Sequence, residues 1–375
     1  MISYKDSYKD KSALFVSILL FSLGNPFFLW NIPQRPVFIM LMQLVLLFIC
    51  NHNKTVMSSK DRYLSSLYIF TFVYWLYITI YNGVLNLNGI IINLVISLFF
   101  MTSFVSSDFR EKVIKNYTMI YACIIGVSLF FWFLALNGLI SSIGTINHYN
   151  ESLSREYTVF PFVVIEHMDV INGIRFAGIY DEPGVVGTLG GLLLIINRFN
   201  FKDWRNLVIL FSCLFSLSFF FYLVITIYLL LYLWSKAKYT HLIALLLILG
   251  SFYFLTQNNS VVKSRIWERL EWNEESEMLA GDNRMVEEGE LYYERIKGTS
   301  EFYFGVNNIQ EYWRVAHGSS SYKNVIAMYG VIFLFLYCLY FFLPINKPTA
   351  IKTNDMAIAI ITTIPVLIPV KRKDE

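Results

Sequence analysis

Uncharged apolar runs close to membrane-crossing length recur along almost the whole of this chain. They fall at Ala13 to Trp30, Pro36 to Cys50, Tyr63 to Tyr81, Val84 to Val105, Tyr117 to Ile140, Pro183 to Asn197, Asn206 to Trp234, Tyr239 to Thr256, Asn324 to Ile345 and Met356 to Val370. Most approach the ~20 residues a helix needs to cross the hydrocarbon core. Apolar residues make up 56% of the 375 and charged residues only 15%, an excess that a soluble core of this size cannot hide. The expected fold class is therefore an all-α polytopic integral membrane protein, a single membrane domain over residues 1–375. The net charge of +3, with no interior basic block, leaves no footprint for nucleic acid.

The run Asn206 to Trp234 is too long for one span: its 29 residues would make a helix of about 43 Å at ~1.5 Å per residue. Two short helices folded back on each other also suit the positive charges. With a cytoplasmic N-terminus, 16 of the 30 basic residues then fall in cytoplasmic connections, as the positive-inside rule favours. That predicts about eleven spans, within a range of ten to twelve. Lys371, Arg372 and Lys373 fit less well, which makes the last run a candidate partial or re-entrant span. Lys5, Lys9 and Lys11 precede the first run and no small-residue cleavage site follows it, so a retained first helix is expected rather than a removed signal peptide. Cys50, Cys123, Cys213 and Cys338 each lie in an apolar run without pairing or ligand spacing, and read as buried, inert thiols.

This topology places two long connections on one external side, residues 141–182 and 257–323, where a rigid scaffold commonly carries its site. The first ends in Arg175-Phe-Ala-Gly-Ile-Tyr-Asp181-Glu182-Pro183-Gly184. Pro183 suits a first helical position, so Asp181 or Glu182 reads either as a helix cap or as a functional carboxylate. Gly184, Gly187, Gly190 and Gly191 read as helix-packing positions. Arg175 is suited to clamp a phosphate through paired hydrogen bonds. The second connection holds 12 acidic and 7 basic residues between Gln257 and Ser320, mostly a solvated face. Ser260 to Ala280 is expected to form amphipathic helices. Tyr292, Tyr293, Phe302, Tyr303, Phe304, Tyr312 and Trp313 read as core anchors or as sugar-stacking platforms. Three places stand out: Gly281-Asp282-Asn283-Arg284, Phe304-Gly305-Val306, and Arg314-Val-Ala-His317 running on to Tyr322-Lys323 and Gly330. His317 is a candidate acid, base or diphosphate ligand. Because His148, His167 and His317 show no ligand spacing, neither metal nor cofactor is expected.

RFAGIYDEPGVVG resembles the Arg-x-x-Gly…Glu-Pro-x-x-x-Gly segment before a transmembrane helix in bacterial O-antigen polymerases (Wzy type) and related ligases. LFSLSFFFYLVITIY is similar to the paired short helices with a central Ser-x-Ser in that group. GDNRMVEEGELYYERIKGTSEFYFGVNN and HGSSSYKNVIAMYGVIFLFLY resemble its large periplasmic loop and following helix. The resemblance covers roughly Ile174 to Leu343. It implies an inner-membrane glycosyltransferase facing the periplasm, whose partners are undecaprenyl-diphosphate-linked repeat units, membrane lipid and, as a candidate, a chain-length regulator. On that reading Arg175 and Arg284 hold diphosphate, Glu182 or His317 takes the acceptor proton, and Arg314, Lys323, Asp181 and Tyr322 contact substrate. A ligase transferring glycan to lipid A-core fits less well: Met328 stands two before Gly330, His317 is displaced, and no arginine follows the serines of the short-helix pair. A flippase of lipid-linked sugars is the reading of another class. Nearly charge-free spans and one external connection exceeding 60 residues count against it.

Overall fold

The computed structural model describes residues 4–32, 35–53, 69–70, 72–74, 76–77, 105–150, 153–167, 175–235, 239–259, 262–268, 271–273, 278–279, 287–306, 312 and 322–342. The chain is mostly helical. Its helices are α1 (Tyr4–Leu23), α2 (Arg35–His52), α3 (Ser107–Leu136), α4 (Pro183–Ile196), α5 (Trp204–Ser216), α6 (Phe219–Ser235), α7 (Tyr239–Thr256), α8 (Glu287–Ile296), α9 (Ser300–Phe304) and α10 (Tyr322–Phe342). Among the described residues one helix, Asp108–Leu136, is long and apolar enough to cross a membrane. Eleven spans are not shown.

The all-α expectation needs correction. Residues expected only to connect two spans form a three-stranded antiparallel sheet, β1 (Gly144–Asn150), β2 (Leu153–Phe160) and β3 (Val163–Glu166), in that order. The register pairs Ile146 with Tyr157 and Thr158 with Ile165. β-Branched and aromatic residues in β2 and β3 suit a pleated, half-buried surface, and β3 buries Val163, Val164 and Ile165. Ser260 to Ala280 likewise departs from the amphipathic helix expected there. A single turn, Lys263–Trp267, precedes a two-residue ribbon pairing Trp272 with Leu279 (β4, Trp272–Asn273; β5, Met278–Leu279). In the turn, Ile266 is buried and the Trp267 indole donates to Thr256 Oγ1 at 2.9 Å.

The long run splits as the sequence suggested. Asp203 caps α5, accepting from Arg205 N at 3.1 Å, the usual service of an N-cap carboxylate. The helix ends where Leu217 turns left-handed (φ 47°). Ser216 explains the break: its hydroxyl donates to Cys213 O (2.7 Å) and accepts from Ser218 N (3.3 Å), a local alternative to the helical ladder. On one side of the break α5 runs antiparallel to α4. Asn206 Oδ1 accepts from Asn197 Nδ2 at 2.9 Å, Ile209 and Cys213 lie against Gly190, and Phe215 O accepts from Phe176 N at 3.0 Å. On the other side α6 runs along α4 in the same direction as α4, from Ser218 and Phe221 beside Gly187 and Gly191 to Tyr228 beside Phe199, ring centroids 5.1 Å apart. The two halves therefore fold back.

The main core gathers α1 to α6, β3 and the residues before α4, with Tyr117, Tyr121, Phe176, Tyr180 and Phe221 almost fully buried. A second core joins α8, α9 and α10 through Tyr293, Ile296, Val306, Tyr312, Ile326 and Ala327. Here α10 kinks at Gly330 (φ 83°). A side chain at Gly330 would strike the Tyr303 carbonyl, and one at Gly305 (φ 84°) the Met328 carbonyl. The two glycines thus let the end of α9 dock into the kink, where Val306 N donates to Ala327 O at 2.9 Å. Only residues tolerant of positive φ and lacking Cβ fit both demands.

Candidate functional site

Of the residues singled out in the sequence, Arg175, Asp181 and Glu182 are described as one segment leading into α4. Glu182 stands at the N-cap position with extended backbone (φ −134°, ψ 139°), but its carboxylate makes no capping hydrogen bond. Pro183 occupies the first turn, where its missing N–H costs nothing. The capping role open to Glu182 is therefore not one its side chain fills. Asp181 is 3% exposed. Arg175 and Glu182 are half-buried.

Three strands of evidence place other elements around Asp181. The Tyr157 hydroxyl on β2 donates to the Asp181 carbonyl at 3.0 Å. Trp30 lies edge-on to Tyr157, centroids 5.1 Å apart, and its indole donates to Asn25 O at 3.1 Å. Phe27 N donates to Ile179 O at 2.8 Å, and Val164 N to Gly178 O at 2.9 Å. The turn after α1, the sheet and the segment before α4 thus meet at one place. Arg35, at the start of α2, belongs there too. Burial depresses its guanidinium pKa and the nearby Asp181 charge opposes that shift. Arg35 belongs to none of the sequence motifs singled out above. Its partner lies 146 positions along the chain, by subtraction of the residue numbers, and no local pattern signals such a pairing.

Lys323 and Tyr322 open α10 in the second core. Lys323 is 7% exposed, and its ammonium donates to both Glu290 carboxylate oxygens at 2.7 and 2.9 Å, fastening α10 to α8. A phosphate at Lys323 would have to compete with Glu290. Tyr322 is exposed. Arg284, Arg314 and His317 lie outside the described residues, as does Trp313. Of the aromatics offered as sugar platforms, Tyr293 and Tyr312 are buried, and the Tyr312 hydroxyl is bonded to Asn324. Tyr303 and Phe304 are exposed.

The thiols divide differently from expectation. Cys50 and Cys213 are buried, whereas Cys123 is exposed on α3. Helix 3.6-residue geometry puts it on a face the other elements do not cover. Three of the four glycines are packing positions as expected, Gly187 admitting Ser218, Gly190 Cys213 and Gly191 Phe221, whereas Gly184 faces open space and is not one. Among the described residues no group of three His, Cys, Asp or Glu is placed to hold a metal ion.

In chemical terms the segment offers a half-buried guanidinium, a half-buried carboxylate at a helix start, and a buried carboxylate beside a second guanidinium. That set suits an anionic ligand with an exchangeable proton. No protein-family model, curated protein or solved structure matches the chain.

Proposed function

We propose that this protein is a bacterial inner-membrane glycosyltransferase, an O-antigen polysaccharide polymerase with its site facing the periplasm. It transfers the growing glycan from undecaprenyl diphosphate to an acceptor repeat unit carried on a second undecaprenyl diphosphate. The observation that carries the reading is the Arg175–Glu182 segment. It combines the family-like sequence with a carboxylate at the head of α4 that does not cap the helix, next to the α5–α6 hairpin broken at Ser-x-Ser.

In the reaction the acceptor hydroxyl oxygen attacks the anomeric carbon of the donor glycan. The bond from that carbon to the diphosphate oxygen breaks, and undecaprenyl diphosphate departs with the electron pair. Arg175, with Arg284, offsets the charge gathering on the leaving diphosphate, where fixed cations stabilise a transition state most. Glu182 or His317 accepts the proton released by the acceptor hydroxyl. Arg314, Tyr322 and Lys323 are substrate contacts of second rank, Lys323 only by exchange with Glu290. The chemistry assigned here calls on neither a cofactor nor a metal.

Deletion of the gene tests the proposal. Lipopolysaccharide resolved on a gel is expected to carry a single repeat unit, and lipid A-core bearing no repeat at all would point to a ligase or flippase instead. Complementation with Arg175→Ala at normal protein abundance is expected to leave the single-repeat pattern. Full-length chains from that variant would remove Arg175 from the site.

A further inference from the structure

We propose that the turn from Gly24 to Trp30, which includes the 3-10 turn Phe27–Leu29, the β2–β3 corner at Phe162 and the segment from Phe176 to Asp181 form a re-entrant wedge without α-helix, sunk into the membrane beside α3. The buried Asp181 then lies inside the membrane thickness rather than above its surface. The inference rests on the membrane reading of α3, shared with the proposed function, but not on the glycosyl-transfer chemistry.

The long helix serves as a ruler. Stepping back from its end at Leu136, Trp132 packs against Phe176 with centroids 5.5 Å apart, and Phe131 stacks on Phe162 at 6.0 Å. Ser128 Oγ donates to Phe162 O at 2.6 Å. Ile125 lies so close to Gly178 that a Cβ there would approach to 2.7 Å, and Tyr121 stacks on Tyr180 at 6.4 Å. Gly24 also lies against the Tyr180 ring. These contacts descend steadily from four to fifteen residues below Leu136, or about 6 to 22 Å at ~1.5 Å per residue. The hydrocarbon core is about 30 Å thick. If α3 spans it, residues that a topology drawn from sequence leaves outside lie within it.

The polarity of the segment fits that depth. Phe28 and Phe162 turn outward, 52% and 53% exposed, while Asp181 and Asn25 are buried. A loop bathed in water would favour the reverse. Non-helical backbone at membrane depth is tolerated where protein surrounds it and its N–H and C=O groups are paired. Phe27 N, Val164 N, Phe176 N and Tyr180 N all donate to backbone carbonyls, at 2.8 to 3.1 Å. An ionisable group carried to such depth marks a site by default. With Arg175 at the start of the segment, a head group bearing negative charge is the chemistry that fits.

Depth can be measured without knowing the ligand. Nitroxide labels are placed at Phe28→Cys, Phe162→Cys and, on α3, Phe130→Cys, in a full chain with Cys123 and Cys338 changed to serine. After reconstitution into phosphatidylcholine–phosphatidylglycerol vesicles, collision with oxygen is compared with collision with a water-soluble nickel chelate. Oxygen is expected to dominate at Phe28 and Phe162 as strongly as at Phe130. Oxygen dominance at Phe130 with nickel dominance at the other two would overturn the wedge alone. Nickel dominance at Phe130 would remove the membrane reading and the wedge with it. A photoactivatable phospholipid, cross-linked to the unaltered chain, provides a second measurement that needs no substitution. Adducts are expected in peptides holding Phe28 and Phe162, and their absence where the Phe130 peptide is modified would equally overturn the wedge.

Discussion

Gly190→Ala should loosen the junction between α4 and the α5–α6 hairpin, and the structure indicates by how much and through which atom. A Cβ at Gly190 would fall onto Cys213 Sγ, inside the 3.0 Å that real Cβ contacts do not cross, and within 3.1 Å of Ile209 Cγ2. Cys213 is fully buried, and its thiol points at Val186 O, 3.6 Å away. Overpacking of this kind costs about 1–3 kcal/mol, while alanine in place of glycine returns up to about 1 kcal/mol of helix propensity. A net loss of up to about 2 kcal/mol follows. Cys213→Ala removes the obstructing sulfur, so in that background Gly190→Ala should be neutral or mildly stabilising. The coupling across the cycle is then about 1–3 kcal/mol, in the range found for residues in contact. Gly184→Ala is the control, since nothing lies within 4 Å of its would-be Cβ. Thermal unfolding of purified protein in detergent, read as the monodisperse fraction after heating, compares all five chains. An equal effect of Gly190→Ala with and without the Cys213 sulfur would refute the close approach of α4 and α5.

Arg35→Met and Asp181→Asn should each lower the thermal midpoint, because the charge of Asp181 acts on the Arg35 guanidinium. Combining Arg35→Met with Asp181→Asn should recover part of the loss, and thermal midpoints of the two single variants and the double show whether it does. Gly330→Ala should uncouple α9 from α10, since the new Cβ meets the Tyr303 carbonyl and φ stays at 83°. Faster amide exchange at Val306, which donates to Ala327 O, is the expected signature. The start of α5 should weaken in acid. The hydrogen bond from the Arg205 side chain is the chief cause holding the Asp203 carboxyl below its ordinary 3.8, so the folded form is protonated at lower pH than the unfolded chain. The stabilisation is whole above that ordinary value and fades as pH falls through the lowered one. Asp203→Asn, which still caps but carries no charge, should flatten the dependence, as a pH series of unfolding midpoints would show.

Where the signals are local, sequence and structure agree. Pro183 starts α4 and Ser216-Leu-Ser218 breaks the long run, because each acts within a turn of its own position. The small residues of α4 declared a close contact without naming its partner, and the partners proved to be Ser218, Cys213 and Phe221. Residues 144–166 contain no apolar run long enough to attract notice. Their strands form by pairing with one another and by packing β3 on α3, which a search for helical spans passes over. The candidate site was half legible. Arg175, Asp181 and Glu182 are contiguous and could be read together, whereas Arg35 and Tyr157 reach Asp181 only through the folded chain.

The sequence by itself determined that this chain is mostly helical and strongly apolar and that its long run divides at the serines. These follow from composition and from interactions spanning a few residues. Only the tertiary structure decided that the first long connection carries a sheet whose β2–β3 corner meets α3, that Asp181 is buried with its carbonyl held by Tyr157, and that Lys323 is held by Glu290. Such pairings join residues tens of positions apart. Their energies depend on burial and distance, which linear order does not encode.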